Sequence, residues 1–358
     1  MPEPARPARR TPLGTRRRLA RAFAIFGFGL ALGLAGLYLV AGDQVFRTET
    51  YRVRDPNTLV ITLCVVAFIA EWFVMDPARI WLLCRNQKIP LPFRSAVLVH
   101  LTSMFAASVT PGNAAVGPAI AVALRRSGVP FGKGVGVAIQ VLVLDMIFFG
   151  WSVPLSLGYL IYSDTLRLPP GSEFVAFLTA ALAIVGAVSL TRYPRPVVRL
   201  VLALARWRFM ARFASRLRKI ARDYYRSAKA FKGMAVSTWV ALNLVVAAGW
   251  FSGFALFWLL LELYGVDAGL LGTLAILNSI TLVAHIFPTP GGSGFMETAL
   301  GLSVGAGGSA VAAALLIWRL ASYHAIFLLG PPAGWFLYLS KPPMGGRASK
   351  QEPKKDPR

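Results

Sequence analysis

"PTPGGSGFMETAL", residues 288 to 300, interrupts an apolar run that begins near residue 269 and resumes at once. Proline has no backbone N–H and glycine tolerates positive φ, so Pro-Thr-Pro-Gly-Gly ends one helix and lets the chain reverse before the next begins. In hydrocarbon each unpaired backbone group costs several kcal/mol, so a broken helix persists there only where protein or a water-filled cavity surrounds the break. The fold therefore turns on whether the solvent of this stretch is lipid.

Composition answers that it is. The chain has 358 residues, of which 56% are hydrophobic and 15% charged, with a mean hydropathy of +0.59. Apolar runs of membrane-spanning length recur at 22–41, 57–75, 95–127, 134–162, 173–190, 234–263, 269–304 and 309–339. No stretch outside them is long and mixed enough to bury a soluble core. The expected layout is a basic tail (1–21), one membrane domain (22–340) with a basic loop (191–233) between its halves, and a second basic tail (341–358). The apolar run after "RRTPLGTRRR" is too long for a cleaved signal and reads as an uncleaved anchor.

The net charge of +23 follows the membrane rather than a nucleic-acid face. With the N-terminus cytoplasmic, the cations of 1–21, 76–94, 125–133, 191–233 and 341–358 all lie inside, 33 of the 38. Both termini are then cytoplasmic in a multi-pass protein of the cell inner (plasma) membrane. This count holds only if the third and seventh apolar runs each enter and leave on one side. "SMFAASVTPGNAAVGPAIAVALRRSG" (103–128) and "LNSITLVAHIFPTPGGSGFMETALGL" (277–302) thus read as two re-entrant hairpins of opposite orientation. Both carry Thr-Pro-Gly, at Thr110-Pro111-Gly112 and Thr289-Pro290-Gly291, and each precedes a long apolar helix with one buried charge, Asp145 or Arg319. The fold class expected is all-α integral membrane: a polytopic helical bundle with two Pro-Gly-broken hairpins in an inverted-repeat arrangement.

Half-helix N-termini at such breaks carry free N–H groups and positive dipole ends, which suit an anionic substrate group such as a phosphate in a polar cavity. The alternative is a pair of ordinary kinks within packed helices. Arg319 sits deep in an apolar run, where a cation requires a partner or water. Glu297, one turn into the half-helix, is the natural partner, with Asp145 as competitor; a Glu–Arg pair that only pins the hairpin is the plainer reading. Ser322 and Tyr323 follow Arg319 by three and four residues and share its face.

Other polar residues carry less. His100, His285 and His324 are single, without ligand-spaced companions, so no metal site is expected and each reads as a satisfied interhelical histidine. Glu71 is read as a snorkelling residue near a helix end, and Asn113 and Asn278 as caps of the breaks. Cys64 and Cys84 do not form a disulfide framework. "VVRLVLALARWRFMARFASRLRKIA" within 191–233 reads as a basic amphipathic helix on the cytoplasmic leaflet. No nucleotide loop, metal cluster or Ser–His–Asp set is present, so neither a cofactor nor catalysis is expected.

"FPTPGGSGFMETAL" followed by "SAVAAALLIWRLASYHAIFLLGPPAGW" resembles the Pro-x-x-Pro-Gly-Gly-x-Gly-x-x-Glu then Arg signature of the lysylphosphatidylglycerol synthetase transmembrane-region family, and "TPGNAAVGPAIAVALRRSG" with "AIQVLVLDMIFFG" its first half. The best understood branch of that family moves aminoacylated phosphatidylglycerol between leaflets. The resemblance implies a lipid-headgroup site at Pro290, Gly291, Gly292, Gly294, Glu297 and Arg319, with Asp145 as the counterpart in the first half; the residue pattern itself adds Pro111, Gly112 and Tyr323 to the expected site. The first half departs from the family, with Gly117-Pro118 in place of an acidic residue and Leu142 to Leu144 in place of a basic one. The soluble aminoacyl-transferase domain of bifunctional members has no counterpart in this sequence.

The expected function is a flippase-like transporter of a phospholipid or lipid-linked headgroup. The alternatives are a membrane-embedded transferase or hydrolase on polyprenyl-phosphate glycolipids, or an accessory subunit of an envelope-lipid synthesis complex. The expected partners are membrane lipids: anionic or aminoacylated phospholipid, or polyprenyl-phosphate lipid. A lipid-synthesising enzyme and a second copy of the chain are the protein candidates, and nucleic acid is not expected.

Overall fold

The computed structural model describes residues 12–53, 56–110, 113–163, 214–285, 287, 289–304 and 308–339, with isolated helical positions between 174 and 203. The expectations for the span 173–190, the terminal tails, most of the loop before residue 214, and Pro111 and Gly112 lie outside the described residues. The rest is helical, as long apolar runs without water must be, since a helix satisfies its own backbone. The elements are α1 (Pro12–Ala41), α2 (Thr58–Asn86), α3 (Phe93–Ser108), α4 (Val116–Arg126), α5 (Phe131–Tyr162), α6 (Ala214–Lys232), α7 (Val236–Leu263), α8 (Leu270–Ala284), α9 (Phe295–Ser303) and α10, which runs from Ser309 to Leu339.

Among the described residues, five helical stretches are long and apolar enough to cross a membrane: Gly27–Phe46, Thr58–Asn86, Phe131–Tyr162, Val236–Leu263 and Ser309–Leu337. Large apolar side chains cover their outer surface, with Leu59, Leu155 and Leu328 each at least 66% exposed. Exposure of that kind is unstable in water and neutral in lipid, so the chain is a multi-pass all-α membrane protein.

One helix runs on where the sequence suggested an end. The run 57–75 continues through a π turn, Ala70–Met75, into Asp76–Asn86, so Arg79, counted above among loop cations, is 6% exposed inside the bundle. Pro77 falls next to the π turn, where the ladder is already disturbed, and does not end the helix. The other π turn, Leu320–His324, follows Arg319 at once.

Both interrupted runs are helix–break–helix hairpins, α3 with α4 and α8 with α9, the two arms of each packing on one another. Their packing is reciprocal. The first arm α3 lies on the far part of α10, the long helix after the second hairpin, while the first arm α8 lies on α5, the long helix after the first. Two halves related by inversion make such cross-contacts. A buried polar seam fixes the second of them: Ser152 Oγ donates to Asn278 Oδ1 at 3.2 Å and Asn278 Nδ2 to Ser156 Oγ at 2.9 Å. Asn278 thus ties α8 to α5 rather than capping the break.

Beyond isolated helical positions, only the end of the basic segment is described, from residue 214 on. Helix α6 is amphipathic, with Arg218, Arg222, Arg226 and Lys229 exposed. Its apolar positions Ala221, Tyr224, Ala228 and Phe231 are buried, and the helix packs on α5. They recur at three- and four-residue steps, so one stripe meets the bundle and the opposite one carries the charge. The helix covers protein where a leaflet-bound helix would cover acyl chains.

Candidate functional site

The second break is built by glycines in left-handed conformations that residues with side chains rarely adopt. Gly291, Gly292 and Gly294 have φ of +59°, +67° and +85°. Gly292 N–H donates to the Thr289 carbonyl at 3.2 Å and Ser293 N–H to the Pro290 carbonyl at 3.1 Å, a tight reversal that delivers the chain into α9. With nine residues, α9 is about 13 Å long and cannot cross a bilayer core of about 30 Å by itself.

Side chains satisfy part of the broken backbone. Glu297 Oε2 accepts from Gly294 N–H at 2.7 Å, the reach-back half of a capping box. Its other oxygen, Oε1, accepts from Arg319 Nε at 2.6 Å. Arg319 Nη2 donates to the Gly291 carbonyl at 3.0 Å and to Ser293 Oγ at 3.1 Å. Glu297 is 1% and Arg319 5% exposed, so charge is buried only where it is matched. The anion at the α9 N-terminus is therefore Glu297 itself. Nη1 of Arg319 has no acceptor among the described residues.

Tyr323 joins this break to the first one. The π turn brings its ring under the Arg319 guanidinium, 4.9 Å from the carbon to the ring centre. A Cβ on Gly291 would overlap that ring. Its hydroxyl donates to the carbonyl of Ser108, the last residue of α3, at 2.9 Å. On the described side of the first break, Thr110 Oγ1 donates to the Ala107 carbonyl at 2.8 Å and accepts from Ala115 N–H at 3.1 Å, while Asn113 takes φ +55°. The two breaks are thus neighbours in space. Ser322 Oγ is buried without a partner.

Sequence reasoning missed the wall opposite. Helix α1 lays Gly29, Gly33 and Gly36 against the hairpin; a Cβ on Gly33 would meet Glu297 Oε1 at 3.1 Å and one on Gly36 the Gly294 carbonyl at 2.7 Å. The spacing of these glycines, four and three residues apart in an apolar helix, was the available signal.

Asp145 lies elsewhere. Its Oδ1 accepts from Arg79 Nη1 at 2.6 Å and from Trp250 Nε1 at 3.0 Å. Arg79 also pairs with Asp76, at 3.3 Å, and His100 Nε2 lies 3.6 Å from the second oxygen of Asp76. The basic residue absent from Leu142 to Leu144 is thus supplied by α2. Glu71 is not a snorkelling end residue. Its Oε2 is buried without a hydrogen bond, and its carboxylate lies 2.8 Å from where a Gly253 Cβ would be. His100, read as satisfied, has a buried Nε2 with no hydrogen-bond partner. Cys64 and Cys84 are buried and free, and no cluster of metal-ligating side chains occurs among the described residues.

The sequence matches a known family. The family model "Lysylphosphatidylglycerol synthase TM region" aligns with residues 25–330, which include both hairpins, α2 and most of α10. A "UPF0104 membrane protein" of Archaeoglobus fulgidus is 23% identical over 290 residues, covering 75% of this chain and 84% of the relative. With 306 of its residues inside the model's bounds, the chain belongs to the lysylphosphatidylglycerol synthase transmembrane-region family.

Proposed function

We propose that the protein moves a phospholipid or lipid-linked headgroup between membrane leaflets, taking the headgroup at the two adjoining helix breaks. The observation that carries this reading is the convergence of both breaks on Tyr323 beside a buried Glu297–Arg319 pair. Ion pairs within membranes are costly and mark pathways by default, and irregular backbone at depth is the feature transporters use for substrate. Arg319 keeps Nη1 for an incoming phosphate, and Glu297 can exchange the guanidinium for a hydroxylated or cationic headgroup while the acyl chains stay in lipid. The hairpins enter and leave on one side each, with both termini cytoplasmic in the plasma membrane, in keeping with the cations of the tails and basic loop. The chain acts without catalysis of its own, on a lipid that a separate enzyme supplies.

One observation favours a second reading, in which the pair only pins the hairpin of an accessory subunit: both Glu297 oxygens are already engaged by protein. Leaflet exchange in proteoliposomes separates the two. Fluorescent phosphatidylglycerol, lysyl-phosphatidylglycerol and polyprenyl-phosphate analogues are presented to wild type and to the doubly neutral Glu297→Gln/Arg319→Gln. Exchange in wild type, lost in a folded double variant, is the expected result. No exchange of any headgroup by folded wild type would overturn the transport reading.

A further inference from the structure

We propose that the junction of α2, α3, α5 and α7 is a proton-binding site whose exchangeable proton sits on Glu71. Asp76 and Asp145 meet there at one guanidinium, Arg79, and Glu71 lies within electrostatic reach of Asp76 and Arg79. That guanidinium is claimed by the two aspartates, Nη1 by Asp145 at 2.6 Å and Nη2 by Asp76 at 3.3 Å. Asp145 has the Trp250 indole as well. Glu71 is left with a buried Oε2 that no group donates to.

The elements packed around the cluster bring no further cation to Glu71. Helix α7 contributes Trp250 and the bare Gly249 and Gly253, whose missing side chains let the acidic face of α2 come close. From α3 comes His100, 2% exposed, its unpartnered Nε2 facing Asp76. His285, just after α8, stands behind Trp250, 5.9 Å between ring centres, and its Nδ1 donates to the Thr281 carbonyl at 2.7 Å. A carboxylate with a dry oxygen and a second carboxylate nearby is poorly tolerated as an anion and better tolerated as a neutral acid. Glu71 as a residue is only partly buried, so a proton can enter and leave. The π turn Ala70–Met75 that displaces it belongs to a class of helix irregularity common at functional sites.

This inference stands apart from the lipid reading, and its test needs no transport. Infrared difference spectra of the full chain in nanodiscs, recorded across a pH step from neutral to alkaline, report protonated carboxyls directly. Wild type is expected to show a protonated-carboxyl band at neutral pH that is lost on alkalinisation, moves when glutamate but not aspartate is isotopically labelled, and is missing from Glu71→Gln. Should Glu71→Gln fail to fold, the labelling in wild type still decides. A band that follows labelled aspartate, that persists in folded Glu71→Gln, or that is absent from wild type would overturn the proposal, as would release of the proton by added sodium in place of alkali.

Discussion

The two buried charge clusters differ in balance. Around the second break one carboxylate meets one guanidinium, and both carboxylate oxygens and two guanidinium nitrogens are paired with protein. Between α2, α3 and α5 three carboxyls share one guanidinium, and Glu71 Oε2, Arg79 Nε and His100 Nε2 are buried without partners. The elements around them are alike: a broken hairpin, a long helix and a π turn. The balanced cluster locks backbone, because every group it removes leaves another unpaired. The unbalanced one retains charge to be met by something that comes and goes.

That contrast is sharpest at Arg319. Replacing it alone with glutamine leaves Glu297 buried and uncompensated, which costs about 3–5 kcal/mol. A large drop in thermal stability is expected in detergent by fluorescence-detected size exclusion. The double Glu297→Gln/Arg319→Gln is expected to recover most of it; a double variant no more stable than the single one would break the account of a matched pair.

Next come the glycines that admit each cluster. Gly253→Ala drives a methyl to 2.8 Å from the Glu71 carboxylate, and Gly36→Ala one to 2.7 Å from the Gly294 carbonyl; each is expected to cost about 1–3 kcal/mol through overpacking. Gly158→Ala on α5, with nothing within 4 Å, is the control and is expected to be neutral or slightly stabilising. Equal melting shifts for all three would show that close approach is not what the glycines supply.

The smallest effect tests the link between the breaks. Tyr323→Phe removes one hydrogen bond, to the Ser108 carbonyl, at about 0.5–1.5 kcal/mol. Faster hydrogen–deuterium exchange is expected at the end of α3, with the α9 N-terminus unchanged. Loosening of both together would mean that the hairpins move as one body.

Much of this was legible in order along the chain. The break at 288–294, the glutamate after it and the arginine of α10 are local signals: proline and glycine dictate a reversal, and a cation in an apolar run demands a partner. The correct partner for Arg319 could be named because Glu297 lies at the third position of the following half-helix. Arg79 was misplaced for the opposite reason. Asp76-Pro77 looks like the end of a helix, and only the π turn before it lets the ladder continue. Asp145 then found its cation 66 residues upstream, a distance along the chain at which no periodicity speaks.

An all-α, multi-pass membrane protein with two broken hairpins could be read along the chain, since hydropathy and backbone satisfaction in lipid act residue by residue. Which buried charges meet, that Tyr323 spans both breaks, that α1 presents its glycines to Glu297 and that Glu71 is left over came from the packing of the helices. Burial of a charge is a property of one segment, but its neutralisation is a property of what other segments bring within about 4 Å, and that is set by how the helices pack.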